Sequence, residues 1–433
     1  MKTTYMYIVL SLAALVAAPA RAETYAITGG TVITLGSAGK IEHGTVLIRD
    51  GKIVAVGADV AVPADAIRID ASGKMVTPGI FDPQSQFGVD EVSLVAETED
   101  AGLNSTRLTA GFDPADAINP HSVLIPINRI EGVTRAVVAP NLPQQGGGVL
   151  NGRGAVISLG DGAGFLLKDP AALFVTLGEQ GGKLAGGSRA GALLLLREDF
   201  QDAKDFAANR AAYDKAGRRP YALSRPDLEA LQPFVNGQLP VVVGVNRASD
   251  IEAALRLASD FKLKLVVSGG SEAWRVADQL AKAQVPVIMN PLQDLPSAFE
   301  SLNSTLENAA RLQKAGVLIA FEVGDSHKSW NVKQMAGNAV AYGLPWIEGL
   351  KAISLNPAKI YAMDKTSGSL EAGKDADVVV WSGDPLEVTS FADAVFIRGQ
   401  AVAMTSRQTE LRDRYLPYVK PNPPALPPAY THP

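Results

Sequence analysis

Cysteine is missing from all 433 residues, and histidine occurs four times, as His43, His121, His327 and His432. Without thiols there is no disulfide framework and no thiolate zinc site. Positive charge is in slight deficit, with 40 Lys and Arg against 45 Asp and Glu. No basic field is available for a polyanion, which excludes nucleic acid as a partner. Short basic pairs such as Arg218-Arg219 and Lys262 with Lys264 read as solvated rims. Long apolar runs are scarce as well. The run near the start, Tyr7 to Ala18, falls short of the roughly 20 residues that a bilayer span takes. It follows Met1-Lys2 and precedes "ARA" at Ala20 to Ala22, a small-x-small cleavage pattern. This combination predicts a secretory signal over residues 1–22, cut after Ala22. No cysteine follows the cut, so a lipid anchor is excluded. A periplasmic or secreted location is expected, with no membrane span once the signal is removed.

The remaining chain changes texture along its length. From Tyr25, "YAITGGTVITLGSAGKIEHGTVLIRDGKIVAVG" alternates short β-branched runs with turn residues, including a hairpin signal "RDGK" at Arg49 to Lys52. The same texture returns in "GSLEAGKDADVVVWSGDP" and "DAVFIRGQAVAM", which predicts that the two ends share one small β domain. Between them, "PVVVGV", "KLVVSG", "VPVIMN" and "VLIAFEV" are apolar without alternation, as in strands buried on both faces of a parallel sheet. Helical stretches are expected between these strands, two of them opened by capping boxes, Ser249-x-x-Glu252 and Ser304-x-x-Glu307. A third helix is expected from Glu272 to Ala283. Repeated β-α units over this length predict a (β/α)8 TIM-like barrel. Leu150 to Pro240 reads as loop and helix decoration over one barrel face. The expected division is a signal at 1–22, a small β-sandwich domain at 23–75 and 363–408, the barrel at 76–362, and a Pro-rich tail at 409–433.

Functional groups of a β/α barrel sit at the C-terminal ends of its strands. Those ends carry Gln84 and Gln86, then Gly244 to Asn246, then Ser268 to Gly270, then Asn290, and last Glu322, Gly324, Asp325 and His327. The run "VDEVSLVAETED", with Asp90, Glu91, Glu97, Glu99 and Asp100, lacks the spacing of a calcium loop and reads as solvated. The stretch "QQGGGVLNGRG" from Gln144 to Gly154 lacks the Lys-Ser/Thr ending of a phosphate loop. No nucleophile elbow or dinucleotide fingerprint is present.

Five stretches, "MVTPGIFDPQSQFG", "NPHSVLIPINRIEGVTRAVVAP", "SEAWRVADQLAKAQVPVIMNPL", "AGNAVAYGLPWIEGLKAISLNPAKIYAMD" and "GSLEAGKDADVVVWSGDPLEV", resemble the amidohydrolase superfamily, in its exported, imidazolonepropionase-like branch. The resemblance implies a metal-dependent hydrolase of C–N bonds in amide-like substrates. In intact members zinc or another divalent metal is held by a His-x-His pair after the first barrel strand, histidines after the fifth and sixth, and an Asp after the eighth. Those positions fall here on Gln84 and Gln86, on Gly244 (with Asn246 two residues on), on Gly269, and on Asp325 or Gly324.

Glycine donates nothing to a metal, and a neutral amide oxygen suits Ca²⁺ or Mg²⁺ inside a carboxylate cage rather than Zn²⁺. Without a firmly held metal, bound water keeps its ordinary pKa. The expectation is therefore a degenerate amidohydrolase with no cofactor. Its role would be to bind a small or peptide-like ligand, or to join a histidine-complete homologue in an oligomer. The polar pocket would be lined by Gln84, Gln86, Asn246 and Asn290. The alternative is an active hydrolase with an unorthodox metal site, or one built on Asp325 with His327 as a weak acid/base couple.

Overall fold

The computed structural model describes residues 23–105, 107–142, 148–162, 164–421 and 424. The expected signal at 1–22 and the end of the Pro-rich tail, with His432, lie outside the described residues. Among the described residues, sixteen strands fall into two sheets.

The first sheet joins the two ends of the chain. Its strands are β1 (Tyr25–Ile33), β2 (Lys40–Arg49), β3 (Lys52–Gly57), β4 (Ile67–Asp70) and β5 (Met75–Pro78). From the C-terminal side come β14 (Val378–Trp381), β15 (Ala392–Ile397) and β16 (Gln400–Ala401). The order is β16-β15-β14-β5-β1-β2-β3, with β4 also on β1. The "RDGK" hairpin forms as expected, since Asp50 and Gly51 take φ of 52° and 77° between the paired Arg49 and Lys52. Two successive left-handed residues match the twist of an antiparallel pair. The N-terminal and C-terminal halves meet where β5 runs antiparallel to β14, and Trp381 Nε1 donates to Thr77 Oγ1 at 2.9 Å across that junction.

The second sheet is the barrel: β6 (Ile80–Ser85), β7 (Val133–Val138), β8 (Leu150–Ser158), β9 (Leu166–Thr176), β10 (Pro240–Val245), β11 (Lys264–Gly269), β12 (Val287–Met289) and β13 (Ile319–Phe321). These eight strands follow one another in sequence order around a nearly closed barrel. Most neighbours are parallel and fully buried, which is why β10 to β13 read as unbroken apolar runs. One strand departs from the plain β/α repeat. β8 runs antiparallel to both β7 and β9, because a hairpin takes the place of a crossover helix. Leu150 to Thr176 is thus barrel wall, not the decoration expected from its glycines. The helical remainder of that region, led by the helix Arg189–Asp214, does pack outside.

Between β13 and β6 no ladder closes the barrel, and the segment "ISLNP" bridges the gap. Phe81 N donates to Ile353 O at 2.9 Å, Ser354 Oγ to Gly79 O at 2.8 Å, and Asn356 Nδ2 to Ile319 O at 2.7 Å. Tyr361 OH adds a bond to Pro83 O at 2.7 Å. Backbone groups that a neighbouring strand would satisfy are satisfied by the Ile353 carbonyl and by side chains instead.

The small sheet is fastened to the barrel by charge. Arg135 on β7, 1% exposed, reaches Asp375 and Asp377 of the "KDAD" turn before β14. Removing one partner of so buried a pair generally costs about 3–5 kcal/mol.

Neither expected capping box forms. The helix Ala248–Phe261 starts one residue before Ser249, and its first N–H is met by Glu272 Oε2 at 3.0 Å. The helix Asn308–Lys314 starts after Glu307, while Ser304 Oγ bonds Ser301 O at 2.8 Å. A tertiary carboxylate and a local turn outcompete the sequence signal in the two cases. The stretch Glu272 to Ala283 is a 3₁₀ turn followed by the helix Ala277–Lys282. Residues Arg407–Tyr415, partly inside the expected tail, form a helix capped reciprocally by Ser406 and Thr409.

Candidate functional site

The strand ends converge on a cavity of about 360 Å³ at the C-terminal mouth of the barrel. Its wall includes Gln84 and Gln86 at the end of β6, Thr176 closing β9, Gly244 to Asn246 at the end of β10, Ser268 and Gly269 of β11, and Glu322 and Gly324 after β13. Because β8 is reversed, its first residues also reach this end, and Asn151 joins the wall. Two larger clefts, of about 680 and 660 Å³, lie beside the small sheet and at the opposite end of the barrel. The mouth cavity is distinguished by its place at the C-terminal ends of the barrel strands, where polar side chains converge.

Four amides at the mouth are held in place. Ser268 Oγ donates to Gln84 Oε1 at 3.1 Å, and Gln86 exchanges bonds with Ser326 at 2.7 and 3.2 Å. Asn246 donates to Glu300 Oε1 at 3.0 Å and accepts from Ser271 Oγ at 3.0 Å. Asn151 and Thr176 bond each other at 2.8 and 3.1 Å.

Two carboxyl groups face this cavity, neither among the expected catalytic residues. Glu322 extends from β13; burial, and next the charge of Asp82, push its carboxyl up to about 7. Asp82 lies behind the wall, 4% exposed, accepting from Gln84 N at 2.9 Å and from Ser329 Oγ. Burial raises it to about 6 against the opposing pull of those donors. Glu300 reaches in from the segment after β12, where it also accepts from Glu179 N at 2.6 Å and meets Arg189 at 3.7 Å.

The structure places the expected residues unevenly. Gln84, Gln86 and Asn246 come together on the wall, with Gly244 and Gly269 beside them. Asn290 is not on the wall; its Oδ1 accepts from Leu292 N at 2.9 Å in a turn. Of the two candidates for the last ligand position, Gly324 lines the cavity. Asp325 turns outward, its side chain 41% exposed, and caps the 3₁₀ turn Ser326–Asn331 by accepting from His327 N at 2.9 Å. His327 Nε2 lies 3.5 Å from Ser93 Oγ in the loop after β6, so Asp325 and His327 do not form a couple at the cavity. In that loop Glu91 and Glu99 accept backbone N–H groups. Glu300, Asn151 and Thr176 had no sequence signal. Glu322 had one, an acid inside the apolar run "VLIAFEVGD".

The Amidohydrolase family profile matches residues 254–405. The structure of an amidohydrolase from Thermotoga maritima superposes with a TM-score of 0.78 at 29% identity, covering 88% of this chain and 99% of that one. The chain is thus similar to amidohydrolases in its C-terminal sequence and over most of its fold. It is also 25% identical over 389 residues to the amidohydrolase tasK of Hapsidospora irregularis, across 83% of this chain. It spans 39% of that relative's length. Molinate hydrolase, at 17% identity and a TM-score of 0.53, shares the fold.

The resemblance implies a metal at the barrel mouth, so the donors here can be tested against zinc. Zinc takes imidazole, thiolate or carboxylate ligands in a tight tetrahedral set. Among the described residues no three His, Cys, Asp or Glu side chains gather in a ligand group. Amides, hydroxyls and bare glycines, with two carboxyls on separate strand ends, do not fit that ion.

Proposed function

We propose that this amidohydrolase-family barrel is a metal-free binding subunit, in which the mouth holds a small amide-like or peptide-like ligand without hydrolysing it. The observation that supports the reading is the composition of the wall, which holds Gln84, Gln86, Gly244, Gly269 and Gly324, residues at which the resemblance implies metal ligands. Without a Lewis acid the carbonyl of an amide is not polarised and water is not ionised near neutral pH. What is left is a fixed array of hydrogen-bonding amides in a concave, partly apolar setting. Such an array serves recognition.

The partner role rests on a separate observation. Most of the length of the Hapsidospora irregularis relative lies outside the part matched by this chain, which fits an amidohydrolase-like unit joined to further protein. We propose that a histidine-complete homologue is the partner and supplies the chemistry. We also assign the chain to the imidazolonepropionase-like branch. A 54-residue stretch 46% identical to an imidazolonepropionase of Geobacillus supports this, although a dihydroorotase of Pelotomaculum matches over 56 residues at 54%.

The test is elemental analysis of the purified protein with calorimetric titration of zinc, and mass spectrometry of what co-purifies from the native source. Less than a tenth of an equivalent of zinc, no saturable zinc binding and a co-purifying homologue are expected. One tightly bound zinc per chain, with hydrolysis of an amide lost on chelation, would sink the proposal.

A further inference from the structure

The charged groups on the mouth wall are all of one sign. Among its described residues the wall holds Glu300 and Glu322, and it holds no lysine or arginine. Asp82 stands directly behind Glu322 and adds to the negative field there. Arg189 touches Glu300 at 3.7 Å, but it is not part of the wall. The remaining wall residues include the amides Gln84, Gln86, Asn141 and Asn151 and one aromatic ring, Phe174. Among the described residues the Glu322 carboxyl accepts from the Gly324 N–H alone, whereas Glu300 is anchored by Asn246 and by the Glu179 N–H. One carboxyl is thus held in position by the fold, and the other is left to find its counterpart in whatever enters.

We infer that the cavity takes a small organic cation, an alkylguanidinium or alkylammonium group, seated between the Glu300 and Glu322 carboxyl groups. A carboxylate desolvated without a cationic partner is unfavourable, and a ligand cation supplies that partner with charge-assisted hydrogen bonds. A planar guanidinium also offers donors to the flanking amide oxygens, and an aromatic wall tolerates a cation. An anionic ligand would meet two carboxyls and no positive side chain, so the same geometry rejects it. A volume of about 360 Å³ admits such a group with a short alkyl or amide extension and little more. This inference rests on reading the mouth as a metal-free binding site, and it adds the charge of the ligand.

The experiment is calorimetric titration of the whole protein with N-propylguanidinium, its neutral isostere N-propylurea, and butyrate. Calcium and zinc are titrated separately. The guanidinium is expected to bind at least tenfold more tightly than the urea, with no saturable binding of butyrate. Glu322→Gln, which preserves shape and hydrogen-bonding capacity, should remove most of that preference while leaving the thermal midpoint within a few degrees. Equal binding of guanidinium and urea, a preference for butyrate, or no saturable binding of the guanidinium would overturn the inference. Stoichiometric calcium that excludes the guanidinium would overturn it as well, by assigning the carboxyls to a metal. Zinc bound without loss of the guanidinium preference would defeat the metal-free reading and leave this inference standing.

Discussion

At the scale of single residues, the sharpest consequences come from carboxyls placed where water cannot reach them. Asp199 lies on the inner face of the helix Arg189–Asp214 at 7% exposure. Burial, then the charges of Glu198, Asp202 and Asp227, lift its carboxyl to about 7. A raised acid keeps its proton in the folded state at pH values where the unfolded chain has released it. Between about pH 4 and 7 the folded form therefore binds more protons, and stability falls as pH rises through that window. Asp199→Asn should flatten that fall and raise stability at pH 8, by something on the order of 2 kcal/mol. Urea unfolding of both proteins from pH 4 to 8 measures this; parallel curves would show that Asp199 does not titrate in that range. The same scale explains which site residues could be foreseen. Gln84 and Gln86 stand at the end of the first barrel strand, a position readable from "TPGIFD". Asp325 read equally well as a site residue, but one step along the backbone changes which side chain faces inward, and Gly324 takes that place.

At the scale of elements, the seam between β13 and β6 is where the barrel depends most on particular side chains. Asn356 satisfies the carbonyl of Ile319 at 2.7 Å in a dry setting, both residues being at most 3% exposed. Asn356→Leu leaves that carbonyl without its donor, a loss of about 1–3 kcal/mol. Amides of β6 and β13 should then exchange faster than those of β10 and β11, which hydrogen-deuterium exchange would resolve. Uniformly unchanged protection would mean that the seam is held by the Phe81 and Ser354 bonds alone. The strands themselves were legible because burial on both faces imposes a continuous apolar run. The reversed strand β8 was not. Its glycines at Gly152 and Gly154 suggest a loop, yet they are required by packing: a Cβ at Gly154 would come within 2.7 Å of Val138 O, and one at Gly152 within 2.7 Å of Phe112 O. Local propensity cannot report a constraint that belongs to a distant strand.

At the scale of the whole molecule, the two chain ends are drawn into one sheet, so the start of the chain has a structural duty. β1 begins at Tyr25, in register with Ile48 of β2 and with Ile67 of β4. A signal cut after Ala22 leaves two residues ahead of that strand and disturbs none of its pairing. The protein is proposed to function in the periplasm or outside the cell in that mature form. Intact-mass measurement of the exported protein should give a chain starting at Glu23. A full-length mass with Met1 retained would refute the cut. The described residues contain no helix long and apolar enough to cross a membrane.

The sequence by itself determined the class of the molecule. Periodicity of apolar runs set the parallel strands, Asp50-Gly51 set a hairpin, and the missing cysteines and scarce histidines removed the soft ligands from which zinc sites are made. These are properties of neighbours along the chain, or of composition, and need no coordinates. Tertiary structure alone decided which polar groups share the mouth. Glu300 and Glu322 come from two different strand-to-helix segments, Asn151 arrives through a reversed strand, and Asp325 is turned away. Proximity between residues far apart in sequence is fixed by how the strands close around the barrel, and that closure depends on side chains such as Asn356 and Ser354 meeting backbone groups that no local pattern reveals.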